Sequence, residues 1–228
     1  MKHLLILAIV AATPAGAAEQ TLTITDFDRI RVEGSYIVDF TSGRGTSGRL
    51  SGARQALDRV TVEVKDRTLI IRPDKGRWGG TDPAAGQVRV RVTAPALKTA
   101  WLSGSGIVTI TGMRGPDIKL SLSGSGSLNV TGVNADRMAL STIGAGNVVI
   151  AGRVAQATVM MRGGGDIDAT ALLAQDIRLS SVGSGNARAT ASRSANISAS
   201  GTGNVVVTGR AACVVNNLGA GTVSCGAK

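Results

Sequence analysis

The chain has 228 residues, with 25 Lys and Arg against 15 Asp and Glu, a net charge of +10 at pH 7, 43% hydrophobic residues and only 2% aromatic ones. Its one histidine is His3 and its one tyrosine is Tyr36. The body of the chain is therefore short of general acid–base groups, of nitrogen ligands for a metal and of rings on which a glycan stacks, which argues against most enzyme and metal-site classes.

The first 18 residues read as a signal peptide. Lys2 and His3 form a short basic region, residues 4–12 are apolar, and Ala15-Gly16-Ala17 or Gly16-Ala17-Ala18 supplies small residues for cleavage near Ala17 or Ala18. The apolar run is too short to span a bilayer, nothing later is apolar enough to do so, and no cysteine follows the run to carry a lipid anchor. The mature chain, residues 19–228, is expected to be a bacterial periplasmic, secreted or cell-surface protein, with no transmembrane segment and no nucleic acid as partner.

Residues 19–100 are rich in predicted strands. Leu22 and Ile24, Ile30 and Val32, and the stretch from Tyr36 to Phe40 alternate with polar residues. Val60, Val62 and Val64 and then Leu69 and Ile71 flank Lys65-Asp66-Arg67, a hairpin turn. Val88, Val90 and Val92 form a further strand before Pro95, and residues 53–57 allow one helical turn. Two segments read as loops. Residues 41–48 are rich in Gly, Ser and Thr, and residues 73–86 carry Lys75, Arg77 and Trp78, a candidate binding loop in which an aromatic ring stands beside basic groups.

Residues 101–228 repeat. Gly-x-Gly triplets begin at Gly104, Gly124, Gly144, Gly163, Gly183, Gly201 and Gly219, at spacings of 20, 20, 19, 20, 18 and 18. Two places after each triplet stand Val108, Leu128, Val148, Ile167, Ala187, Val205 and Val223, and two further on Ile110, Val130, Ile150, Ala169, Ala189, Val207 and Cys225. A second alternating run precedes the next triplet, as in Ile118, Leu120 and Leu122. Each repeat is thus strand, turn, strand, turn, with Gly112, Gly132, Gly152 and Gly209 at the second corner. Column identity of this kind favours coils of a parallel β-helix over an antiparallel meander. The expected fold is all-β: a single-domain parallel β-helix with coils of about 18–20 residues, whose irregular first coils and cap come from residues 19–100.

Register assigns the outward columns as well. Asn147, Asp166, Asn186 and Asn204 follow successive triplets and can hydrogen-bond as a ladder, and Thr111, Thr131, Thr170, Thr190 and Thr208 suit an exposed strand face. Three places before each triplet lie Trp101, Ser121, Ser141, Met160, Ser180, Ser198 and Asn216, a flat small-residue face with two apolar knobs, Trp101 and Met160, as a candidate interface for a partner or a second copy. The two cysteines, Cys213 and Cys225, both fall on inward columns of the last coils, where export favours a disulfide that pins the end of the solenoid.

The body carries net charges of +4 over residues 19–100 and +5 over residues 101–228, so the basic surface is dispersed. It suits an anionic glycan or an envelope protein as partner. Carboxylate pairs were weighed for polysaccharide cleavage. Asp166 and Asp168 share an outward face, and Asp117, Asp136 and Asp176 lie near the second corner of other coils, but they read better as turn formers than as an acid–base centre. Gly163-Gly164-Gly165-Asp166-Ile167-Asp168 is a single, mis-spaced match to a calcium-binding repeat. No cofactor or metal is expected.

Five stretches together resemble the bacterial GIN-domain family, labelled auto-transporter adhesin head domains: Phe27-Asp28-Arg29-Ile30-Arg31-Val32-Glu33-Gly34, Asp66-Arg67-Thr68-Leu69-Ile70-Ile71, Val90-Arg91-Val92-Thr93-Ala94-Pro95-Ala96-Leu97, Leu102-Ser103-Gly104-Ser105-Gly106 and Leu122-Ser123-Gly124-Ser125-Gly126. The resemblance implies an exported β-helical domain and supplies no catalytic residues. The expected function is a non-enzymatic envelope or surface module with adhesin-like binding or a scaffold role. The alternative is a β-helical lyase or hydrolase acting on acidic glycans.

Overall fold

Alternating apolar residues make the strands of this protein, and a column of corner glycines lets the strands stack. The structure, a computed structural model, describes residues 18–74 and 87–227. In chain order the first part holds β1 (Ala18–Leu22), β2 (Arg29–Glu33), β3 (Ile37–Ser42), β4 (Ser47–Gly52), the helical turn α1 (Arg54–Leu57), β5 (Val60–Lys65), β6 (Thr68–Pro73), β7 (Arg89–Ala94) and β8 (Thr99–Gly104). The repeats follow as five long strands, β9 (Ile107–Gly124), β10 (Ser127–Gly144), β11 (Asn147–Gly163), β12 (Ile167–Gly183) and β13 (Ala187–Gly201), and then β14 (Val205–Thr208), β15 (Ala212–Asn217) and β16 (Val223–Ala227). All belong to one sheet wound into a parallel β-solenoid.

Each long strand bends and serves two faces. Its first segment joins the front face, whose strand order is β1, β4, β7, β3, β9 to β13, β14, β16. Its second segment joins the back face, which runs β5, β6, β2, β8, β9 to β13, β15. The repeats were read as strand, turn, strand, turn, and the structure adds a short third side. Met113-Arg114-Gly115 pairs in register with Val133-Asn134-Ala135, and Met113, Val133 and Leu172 are buried there. The second-corner glycines, with positive φ at Gly112, Gly132 and Gly152, only begin this side, so no single turn closes the coil.

The core is continuous from Phe27 to Val207. Its inward columns match those read from the triplets: Val108, Leu128, Val148, Ile167, Ala187 and Val205 are all buried, as are Ile118, Leu120 and Leu122. Burying such a side chain contributes about 1.5–3 kcal/mol. Toward the C-terminus the inward residues shrink, to Ala187, Ala189, Ala191, Ala195 and Ala199, as the coils shorten.

Spatial order departs from chain order at the N-terminal end. The turn β2–β3 stacks directly on β8–β9, while β6 and β7, later in the chain, lie outside it. After Ser42 the chain therefore leaves the stack, runs outward through β4 to β7, and returns at Thr99. The end is finished by antiparallel strands, β5 on the back face and β4 with β1 on the front. The predicted hairpin at Asp66 and Arg67 forms, with both residues at positive φ. The loop expected over residues 41–48 is shorter, residues 43–46, because β3 runs to Ser42 and β4 starts at Ser47, with Gly48 and Leu50 inward.

Both cysteines were placed in the core. They are bonded, Cys213 on β15 to Cys225 on β16, but Cys213 is exposed and Cys225 half-buried. The reason is that among the described residues no strand stacks on β15 to cover it, so its inward positions face outward along the axis. Replacing both cysteines by serine should lower stability by about 2–3 kcal/mol and speed amide exchange in residues 205–227 while sparing residues 107–180.

Both glycines of a triplet exclude a Cβ, and the first also needs a positive φ. At Gly183 φ is +127° and an added Cβ would lie 2.2 Å from the carbonyl oxygen of Gly163, and at Gly185 one would lie 1.9 Å from that of Gly165. The middle residue is free: a Cβ at Gly164 meets only the Ser184 hydroxyl, at 3.2 Å. Gly185→Ala is therefore expected to cost more than about 2 kcal/mol and Gly164→Ala less than about 0.5 kcal/mol in urea unfolding.

Candidate binding face

The two broad faces use their side chains differently. On the front face the polar groups are consumed by the stack itself. The side-chain oxygen of Asn147 accepts from the backbone N–H of Asp166 (3.2 Å), Asp166 from that of Asn186 (2.9 Å), Asn186 from that of Asn204 (3.2 Å) and Asn204 from that of Thr222 (3.0 Å). The expected ladder is present, and its acceptors serve mainly the next coil's backbone. The Thr column behaves alike: the Thr190 hydroxyl donates to the Thr170 carbonyl at 2.8 Å and lies 3.0 Å from the Thr208 hydroxyl.

This settles what Asp166 and Asp168 do in the structure. Asp166 is a rung of the ladder. Asp168 accepts from the Thr170 hydroxyl (2.6 Å) and N–H (3.0 Å), which hold its carboxyl below the usual range. Asp168 is thus the opposite of a general acid, whose carboxyl is raised toward neutrality. Asp117 and Asp176, read as turn formers, instead tie neighbouring coils. Asp117 takes a bidentate contact from Arg137 at 2.6 and 3.0 Å. Asp176 accepts from Arg193 and, at 2.7 Å, from Ser194, and these bonds bring its carboxyl down to about 2. Sequence spacing hid these pairs because their partners lie about one coil away.

The back face presents an edge column, Asp117, Arg137, Gln156, Asp176 and Ser194, which holds the two ion pairs just described, and beside it three further outward columns. The middle one runs Arg31, Trp101, Ser121, Ser141, Met160, Ser180, Ser198 and Asn216, all in direct register. Trp101 and Met160 thus share a column, three strands and roughly 14 Å apart, with two serines between. The flanking columns hold Lys119 and Arg178 on one side and Ile143, Arg162 and Val182 on the other. Ile143, Met160 and Val182 are 53%, 42% and 45% exposed. From β8 to β15 these three columns contain no carboxylate. The guanidinium of Arg31 lies over the Trp101 ring, 5.4 Å from its centroid, a partnership between residues 70 positions apart that no local motif signals.

At the N-terminal end of this face a second long-range cluster forms. The Asp28 side chain is only 10% exposed and is met by Lys98 (3.3 Å), Arg67 (3.4 Å) and Arg29 (3.7 Å). Its Oδ1 has no hydrogen-bond partner. Burial pushes the carboxyl up, but Lys98 and Arg67, by hydrogen bonding and charge, outweigh it and hold the group below its ordinary value. The contacts join β2, the β5–β6 hairpin and the approach to β8.

Lys75, Arg77 and Trp78 lie outside the described residues, as do residues 1–17. Among the described residues no group of three His, Cys, Asp or Glu is placed to hold a metal, and no helix is long and apolar enough to cross a membrane. Two open depressions lie along the coils, one of about 470 Å³ on the third side beside Arg153 and Leu173, and one of about 400 Å³ on the back face beside Arg178 and Asn196.

A family model described as "Putative auto-transporter adhesin, head GIN domain" matches residues 26–211. The chain belongs to that family. The match spans β2 to the start of the last coil, so the outward loop and the glycine column are both parts of the GIN domain. Among solved structures, this GIN domain is similar to a "putative adhesin" from Bacteroides fragilis NCTC 9343, with a TM-score of 0.83, 21% identity, and 92% of this chain and 96% of that one covered. It is also similar to a "putative lipid binding protein" from Parabacteroides distasonis ATCC 8503 (TM-score 0.69, 20% identity, 92% and 97% covered) and a "putative adhesin" from Parabacteroides merdae ATCC 43184 (0.68, 18%, 92% and 96%). At these identities the likeness concerns the fold. No curated protein matches the chain.

Because Asp28 has a lowered native pKa, its contribution is full above the ordinary value of 3.8 and is lost as pH falls through the native value. Asp28→Asn should cost about 1–3 kcal/mol at pH 7 and less near pH 3, as read by urea unfolding at the two pH values.

Proposed function

We propose that this GIN domain is an exported, non-enzymatic module of the bacterial envelope or cell surface, that its back face is the binding surface, and that adhesin-like attachment is its role. The carrying observation is the contrast between the faces. Front-face ladder groups already satisfy one another, whereas the inner columns of the back face offer Arg31, Arg162 and Arg178, with no salt bridge among the described residues, and exposed apolar groups on a flat, small-residue background. Family and structural relatives alike are named adhesins or binding proteins, which supports the same coarse class and an envelope location. The signal peptide completes the reading. Cleavage after Ala17 would leave β1 whole, whereas cleavage after Ala18 would remove its first residue.

The polysaccharide-cleaving alternative loses support because the carboxylates it needs are engaged: Asp166 in the ladder, and Asp117, Asp176 and Asp168 with Arg137, Arg193 and Thr170, which hold these three below their ordinary values. The mature chain is expected to release no unsaturated or shortened products from polyuronates. Release that disappears in Asp166→Ala with Asp168→Ala would restore that alternative.

The binding reading is tested with labelled mature protein on intact cells and on glycan arrays. Ser141→Glu with Ser180→Glu, on either side of Met160, should weaken binding at least about tenfold, whereas Thr109→Glu with Asn129→Glu on the front face should leave it unchanged. Equal loss from both pairs would remove the back face from the proposal. Protection of the native protein from protease on intact cells, with release only by osmotic shock, would remove surface adhesion and leave a periplasmic role.

A further inference from the structure

We propose that the N-terminal end of the back face is an anion-binding site for the carboxylate or sulfate groups of an acidic saccharide, with Arg31, held over Trp101, as its central contact and Arg29, Lys98 and Lys119 around it. This names the ligand class of the back face and rests on the reading of that face as the binding surface.

Geometry comes first. Arg31 and Trp101 are direct neighbours across β2 and β8. Arg29 and Lys119 sit on either side of Thr99 in the adjoining column, each one strand and two residues from Trp101. Such diagonal neighbours lie about 7–8 Å apart, within reach of long side chains. Arg31, Arg29 and Lys119 thus flank one half-buried indole on a parallel sheet, and Lys98 joins Arg29 at Asp28.

Charge comes second. Arg31 has no ion pair among the described residues; its only partner there is the ring, which fixes the guanidinium and leaves its edge free to donate. Arg29, Arg67 and Lys98 converge on Asp28, but one carboxylate neutralises one of three, and their side chains remain 49%, 63% and 52% exposed. The surplus is positive and ordered before any ligand arrives, which lowers the cost of binding. Glu33, in register with Ser103, bounds the site on the side of the glycine corner, and Asp117, bound by Arg137 and close enough to Lys119 to feel its charge, bounds it on the opposite side, so an anion is favoured between them, at Arg31.

The surroundings select a sugar over a lipid surface. The outward neighbours of Trp101 are Ser103, Ser121 and Ser123, short hydroxyls that make no side-chain hydrogen bond in the structure. The exposed aliphatic groups that would enter a bilayer, Ile143, Met160, Val182 and Leu218, all lie farther along the solenoid. Free hydroxyls beside fixed guanidinium groups match a ligand rich in both hydroxyl and anionic groups.

Calorimetric titration of the mature chain with polygalacturonate oligomers and with dextran sulfate, against neutral dextran and phosphatidylglycerol vesicles, tests the proposal. Saturable binding to the acidic saccharides alone is expected, weakening as salt rises. Arg31→Gln should reduce affinity about tenfold or more, with Arg31→Lys intermediate because it keeps the charge and loses the fork. Unchanged melting of both variants separates this from misfolding. Arg162→Ala with Arg178→Ala should change affinity less than about threefold. Binding that depends on Arg162 and Arg178 but not on Arg31 would overturn this site and leave the back-face reading intact. Equal sensitivity to Arg91→Ala with Arg188→Ala on the front face would overturn both. Binding to vesicles alone, to neutral dextran equally, or to none of the probes would overturn the saccharide site.

Discussion

One backbone contact organises this protein: the carbonyl of each corner glycine receives the next coil. Gly104 O accepts from the N–H groups of Ser125 and Gly126, and Gly144 and Gly163 repeat the arrangement. The coils approach so closely there that no Cβ fits at the second glycine, while the first needs positive φ. Everything outward follows from this column. Because the corner sets an identical register on every coil, like residues stack, and stacked residues can form ladders on one face and a flat small-residue surface on the other.

The same constraint explains why the ends are special. A coil is stable only when covered on both sides. At the N-terminus β4 to β7, with β1, supply the cover, finishing both faces with antiparallel strands, and Asp28 fastens them through Arg67 and Lys98. At the other end the last coil has a disulfide in place of a covering strand, and its inward side chains remain partly exposed. The chemistry that looks most functional gathers at the first end, where long-range threading places charges that no coil repeat would bring together.

The two broad faces then divide the work. The front face stabilises: its Asn, Asp and Thr side chains bond coil to coil and have little left for a ligand. The back face carries exposed serines, isolated aliphatic groups and cations, and its outward carboxylates after β8, Asp117 and Asp176, lie in its edge column and are tied to Arg137 and Arg193. Asp117, Asp168 and Asp176 are held below the ordinary carboxylate range by their partners, which suits a scaffold better than an acid–base catalyst.

Much of this was legible in the residue order. Period-two alternation named the inward columns, and the near-20-residue spacing of the triplets named the stack, because a parallel coil copies its register to its neighbour. The hairpin at Asp66 and Arg67, the Asn ladder and the shared column of Trp101 and Met160 could be read in the same way. The third side at Met113, the strand at Ser47 and the inter-coil pair of Asp117 with Arg137 were missed, since each depends on how far a bend carries the chain. Arg31 over Trp101 and the Asp28 cluster were beyond any such reading. The sequence alone determined the periodic part of this protein, where every coil predicts the next. Only the tertiary structure decided the non-periodic part, because the order in which β6, β2 and β8 stack is set by long-range hydrogen bonds and charges that leave no repeat in the chain.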